Sequence, residues 1–124
     1  MIVKIDTKEK FTVITANEVK LTAIMTEGLI KMLLPYQQKE VPHVILNMSS
    51  VKEIDEKSGG MLADCQQQFY EHNCSFVICT LQETVENLLD KTELLELMNV
   101  TPTESEAWDI VQMEEIEREL MGDE

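Results

Sequence analysis

The residues whose types and spacing could support chemistry are gathered in Ile54-Asp55-Glu56-Lys57-Ser58-Gly59-Gly60-Met61-Leu62. An acid, a base, a hydroxyl and two glycines stand between an apolar run and a helical pattern. Ser58 has two readings. It can be a phosphate acceptor at a helix start, where unpaired backbone N–H groups and the positive dipole end tolerate an anion. A phosphate there adds about −1.5 to −2 charges, enough to break a docked surface. It can equally be a hydroxyl in a first helical turn, beside Asp55 as the N-cap, with Gly59 and Gly60 permitting close packing.

Other chemistry is scarce. His43 and His72 do not combine with Cys65, Cys74 and Cys79 into a metal-ligand spacing, so no metal or other cofactor is expected. The sequence has no GxGxxG, no phosphate-binding P-loop and no Gly-x-Ser-x-Gly elbow. A small thiol enzyme using Cys65 or Cys74 is the catalytic alternative. Core or helix-end packing explains both thiols, and no catalytic residue is assigned. The cysteine count is odd, with no CxxC pair and no signal-like start, which reads as a reduced, cytoplasmic protein.

Composition narrows the partners. The 124 residues carry 24 acids against 10 bases, a formal charge of −14, and 44% hydrophobic residues. That apolar share can fill one core, and one domain over 1–124 is expected. The charge disfavours nucleic acid and anionic membrane surfaces. The one arginine, Arg118, leaves little to clamp a phosphate. No apolar run approaches the ~18 residues of a membrane span, so no direct membrane insertion is expected.

The elements that must position the opening stretch follow from periodicity. Met1 to Asp6 and Phe11 to Ala16 read as a hairpin. Leu21, Met25, Leu29, Met32 and Leu33 recur at helical steps, predicting a helix over Thr22 to Leu34 that Pro35 ends. Val44-Ile45-Leu46 and Phe76-Val77-Ile78-Cys79 are compact runs suited to central strands buried on both faces. Met61, Leu62, Cys65 and Phe69 mark a helix between them, reaching about His72. Val85, Leu88 and Leu89 mark a third. Leu94 to Val100 reads as a short helix running into an edge strand. Thr103-x-x-Glu106 has the capping-box form that starts a last helix, from about 103, carrying Ala107, Trp108, Val111, Ile116 and Leu120. From Glu104 onward nine acids, including Asp123 and Glu124, face a single arginine. This is a solvated outer face or a partner-binding helix. Strands alternating with helices after a hairpin predict an α/β fold with a mixed, mostly parallel sheet and about four helices packed on it.

The run from Val44 to Asp55, VILNMSSVKEID, followed by a glycine-bearing helix start, resembles the STAS domain family of anti-sigma factor antagonists. That family reads V-V-L-D-L-S-G-V and then I-D-S-S-G-L-G. Thr103-Glu104-Ser105-Glu106-Ala107 is similar to its closing T-x-x-E-A segment. The resemblance implies a mixed sheet with helices against one face and no catalysis. It also implies a protein partner, an ATPase-related kinase or anti-sigma factor, released when a serine at this helix start is phosphorylated. Ungapped alignment places the family's two serines on Glu56 and Lys57. Lys57 thus occupies the usual acceptor position, and Ser58 falls on a glycine. Asn47 replaces a strand-end acid, and Ser50 a glycine. The candidate phosphoacceptor is Ser58. The expected partner-binding loop is Asp55, Glu56, Lys57, Ser58, Gly59, Gly60 and Met61, extended by Gln66, Gln67 and Tyr70 on the helix. The alternative within the family is a soluble STAS-like subunit of an ATPase-driven membrane-lipid transport complex.

Overall fold

The computed structural model describes residues 1–122. Asp123 and Glu124, the last acids of the tail, lie outside the described residues. Branched residues near the start form β1 (Val3–Thr7), which returns as β2 (Thr12–Ala16) in an antiparallel hairpin pairing Val3 with Ala16 and Thr7 with Thr12. A two-residue strand β3 (Lys20–Leu21) precedes α1 (Ala23–Leu33). The buried runs become β4 (Val44–Asn47) and β6 (Phe76–Cys79), and the short β5 (Glu53–Ile54) leads into α2 (Glu56–Glu71). Then come α3 (Glu83–Lys91), a 3-10 turn at Leu95–Leu97, the edge strand β7 (Val100–Thr101) and α4 (Glu104–Gly122).

The main sheet has the order β1-β2-β4-β6-β7, antiparallel only at its first pair. The mixed, mostly parallel sheet with four helices agrees with the sequence pattern. Successive strand residues face opposite sides, and both sides are apolar. Ile14, Val44, Leu46, Phe76 and Ile78 face α1, α2 and α3, meeting Leu29, Leu33, Leu62, Phe69 and Leu89. Val13, Ile45, Val77 and Cys79 face the other way and meet Ala107 and Val111 of α4, flanked by Phe11 stacked on Trp108 at 4.7 Å. Each fully buried aliphatic side chain contributes about 1.5–3 kcal/mol, so a central strand buried on both sides anchors two helix layers at once. This corrects the expectation of helices against one face: α4 covers the second.

Two local expectations also change. The α-helix ends at Leu33, just before Pro35 as expected, but the chain does not leave helical geometry there. The chain tightens into a 3-10 turn over Leu34–Gln38, with Pro35 near its start, where a missing N–H is tolerated. Gln66, expected on an exposed contact face, is buried. Its side-chain amide donates to the carbonyls of Phe76 and Asn99 and accepts from the Asn99 N–H at 2.9 Å. It thereby bridges β6 to the chain entering β7, where β7 is too short to pair.

Polar bonds fasten α4 to the sheet. Ser75 Oγ donates to Glu114 at 2.6 Å and accepts from Arg118, and Asn99 donates to the other Glu114 oxygen. His43 Nδ1 accepts the Ser75 N–H at 3.0 Å, which leaves the proton of the neutral ring on Nε2, facing Glu115 at 3.4 Å. Burial lowers the His43 pKa, against the opposing pull of Glu115. The folded state thus binds fewer protons than the unfolded state below about pH 6.5. The stability from neutral His43 is complete above that value and is lost as pH falls toward the lower folded value. Urea unfolding at pH 7.5 and 5.5 is expected to show lower stability at pH 5.5. His43→Asn, which keeps an acceptor for the Ser75 N–H, is expected to flatten that dependence. An unchanged pH dependence in the variant would place its source elsewhere.

Candidate functional site

The stretch singled out by its chemistry forms a junction of two helix starts. Asp55 is the N-cap of α2, and its Oδ1 accepts the Ser58 N–H at 2.8 Å. Its Oδ2 accepts the Ala23 N–H, at the start of α1, at 2.9 Å. One carboxylate therefore satisfies an orphan donor on each of two helices and stands at the positive end of both. Thr22 caps α1 as well, accepting from the Met25 N–H. The parallel β3–β5 pair holds the two helix starts side by side, pairing Lys20 with Glu53 and Leu21 with Ile54. Hydrogen bonding from Ser58 first, and from Ala23 after it, lowers the Asp55 pKa.

Ser58 has no solvent exposure. Its Oγ accepts from Thr26 Oγ1 at 2.9 Å and lies 3.4 Å from the Leu21 carbonyl. This hydroxyl ties α2 to α1, and a phosphate on it is compatible only with separation of the two helices. Gly59 packs tightly against α3 and the turn after it: a Cβ there would stand 2.8 Å from Leu89 Cδ2 and 3.0 Å from Leu94 Cδ1. Gly60 has open space in the Cβ direction, so close packing requires only the first of the two glycines.

The seven expected contact residues thus divide. All but Asp55 lie inside α2 rather than in a loop. Glu56 and Lys57 are exposed, Asp55, Gly60 and Met61 are partly exposed, and Ser58 and Gly59 are buried. Farther along α2, Gln67 and Tyr70 are exposed, so the outward face runs Lys57, Met61, Asp64, Gln67 and Glu71 at helical steps. Sequence reasoning missed Val19 and Ile24, whose side chains are 61% and 83% exposed beside the same junction. Ile24 falls off the buried stripe of α1, which was the available signal. Val19 precedes a strand too short to show a period, and its carbonyl accepts from Lys52 and Glu53.

The three thiols are free and buried. Burial pushes Cys65 up to about 12 and raises Cys74 and Cys79 as well. Cys74 Sγ approaches the His72 carbonyl rather than an imidazole. Nucleophilic thiol chemistry needs the thiolate, which burial disfavours at all three positions. Among the described residues no three His, Cys, Asp or Glu side chains are grouped as a metal site requires, and no helix is long and apolar enough to cross a membrane.

The sequence model of the STAS domain matches residues 3–107. A search of curated proteins finds no match. Several solved structures are similar in fold. One is a Thermotoga maritima protein provisionally assigned as an anti-sigma factor antagonist, at 21% identity, TM-score 0.76, covering 89% of this chain and 94% of that one. Another is the unphosphorylated Bacillus anti-sigma factor antagonist SpoIIAA, at 18% identity, TM-score 0.68, covering 90% of this chain and 96% of that one. A third is the murine anion transporter Slc26a9, at 16% identity and TM-score 0.68, where 84% of this chain matches 18% of that one.

The junction generates three expectations, all read by urea unfolding. Ser58→Ala strands the Thr26 hydroxyl and is expected to cost about 1–2 kcal/mol. Ser58→Asp places an unpaired charge in the same space and is expected to cost more than about 3 kcal/mol. A wild-type midpoint for Ser58→Asp would show that the position opens freely. Asp55→Ala removes caps from two helices and is expected to cost about 2 kcal/mol. The part of this due to ionised Asp55 is complete above its unfolded pKa near 3.9. It declines as pH falls through the lower folded value, so wild type and variant converge in strong acid.

Proposed function

Because this chain belongs to the STAS domain family, we propose that it works without catalysis, as one cytoplasmic regulatory domain that captures a protein partner through the start and outward face of α2. The observation that supports this most is the division of the helix start. Glu56 and Lys57 project into solvent from a turn whose other residues, Asp55, Ser58 and Gly59, are fixed by hydrogen bonds or close packing. A contact surface held in one shape loses little freedom on binding. Exposed Val19 and Ile24 add apolar area beside it.

The partner class proposed is an ATPase-related kinase or anti-sigma factor, in keeping with the likeness to anti-sigma factor antagonists. The charge of −14 favours a neutral or basic contact patch on that partner. A phosphate switch on Ser58 would require α1 and α2 to part, because its hydroxyl is held between them. Lys57, on the family's usual acceptor position, carries no hydroxyl. We therefore favour a constitutive binder, with phosphorylation of Ser58 confined to a transiently opened form.

The test is affinity capture by the intact chain from its own cell lysate, read by mass spectrometry beside a Lys57→Glu variant. The expected result is a kinase-type ATPase regulator captured by the wild type and reduced at least about tenfold by the variant, a loss of about 1.4 kcal/mol or more. Recovered wild-type chain is expected to carry no phosphate on Ser58. Transporter ATPase components in place of a kinase would favour the lipid-transport alternative. Equal capture by the variant would move the interface off α2.

A further inference from the structure

The outer face of α4 has a character that covering the sheet does not require. A helix laid on a sheet needs one apolar side, and its opposite side is ordinarily polar. In α4 the inner side is supplied by Ala107 and Val111. Yet Met113, Ile116 and Leu120, spaced i, i+3 and i+7, form a second apolar row, with Met121 at its edge, turned toward Tyr70 and Arg118. All four are more than half exposed, Leu120 and Met121 at 71% each. Acids border the row: Asp109, Glu117 and Glu119 are all exposed. The single base of the helix, Arg118, is turned inward, donating to Ser75 Oγ with its other terminal nitrogen buried.

We propose that this outer face of α4 is a docking surface for a basic amphipathic helix, distinct from the α2 surface, which lies on the other side of the sheet. The apolar row offers ridges for a partner helix to pack against. The flanking acids, with no exposed base among them on the described part of α4, select lysine or arginine beside the partner's apolar row. Charge also excludes other occupants. A second copy would set the same acids against one another, and an anionic membrane surface would be repelled. The row from Met113 to Leu120 spans roughly 10 Å at 1.5 Å per residue. Two to three turns of partner helix suffice to cover it.

The test uses the isotope-labelled full chain and a synthetic helical peptide with leucines on one face and lysines flanking them. The expected result is saturable binding, with amide shifts concentrated between Asp109 and Met121 and affinity falling as salt rises. The double variant Ile116→Ser, Leu120→Ser is expected to weaken binding at least about tenfold. These side chains are exposed, so the fold is expected to persist, as circular dichroism will verify. Glu117→Lys with Glu119→Lys is expected to weaken binding comparably, while Lys57→Glu leaves it unchanged. Any of four results would overturn the proposal. They are no binding, equal binding of a peptide with glutamates in place of lysines, binding indifferent to the serine variant, or a wild-type dimer in sedimentation that the serine variant abolishes.

Discussion

Much of this molecule depends on where one carboxylate is placed. The two oxygens of Asp55 accept backbone N–H groups from the starts of two helices, Ser58 of α2 and Ala23 of α1, the second of them 32 residues from Asp55 in sequence. Each helix start presents unpaired donors and a partial positive charge. Two such ends side by side would repel, and an anion between them converts the repulsion into a joint. The Thr26–Ser58 hydroxyl contact lies directly below, in full burial. The β3–β5 pair aligns the helix starts from outside. Removal of any one of these leaves the others holding fewer donors in register.

This joint accounts for the exposure of the helix start. Glu56 and Lys57 occupy the first turn of α2, the turn whose backbone Asp55 fixes. Their side chains need no partner within the chain to be held in place. A regulatory surface built this way is rigid without being buried, which suits recognition of another protein. The same economy is seen across the sheet, where Glu114 and Arg118 direct their polar groups to Ser75 and Asn99, leaving the outer side of α4 to apolar residues and acids.

The sheet and helices were legible in sequence where periods were long. Val44 to Leu46 and Phe76 to Cys79 are uninterrupted apolar runs, and Leu29 and Leu33 of the expected stripe mark the buried side of α1, while Leu21, which opened that stripe, lies in β3 instead. What could not be read is non-local. The β3 and β5 strands have two residues each and no period. Gln66 has the composition of a surface residue, and its burial follows only from the gap left by the short β7. Asp55 was readable as an N-cap for α2 but not for α1, because the second partner arrives through the tertiary fold. For the same reason Ser58 carried two readings in sequence, and its burial beside Thr26 could not be foreseen from a hydroxyl in a first turn.

The central claim is that the α1–α2 junction stays closed in the native state. Native-state amide hydrogen exchange at Ala23 and Ser58 tests it most directly, since both N–H groups bond to Asp55. A closed junction opens only with the core, so both amides are predicted to exchange with the free energy of global unfolding measured on the same protein. Exchange at both positions through an opening several kcal/mol below that value, while the amides of β4 and β6 remain fully protected, would contradict the claim. It would return Ser58 to the reach of a kinase.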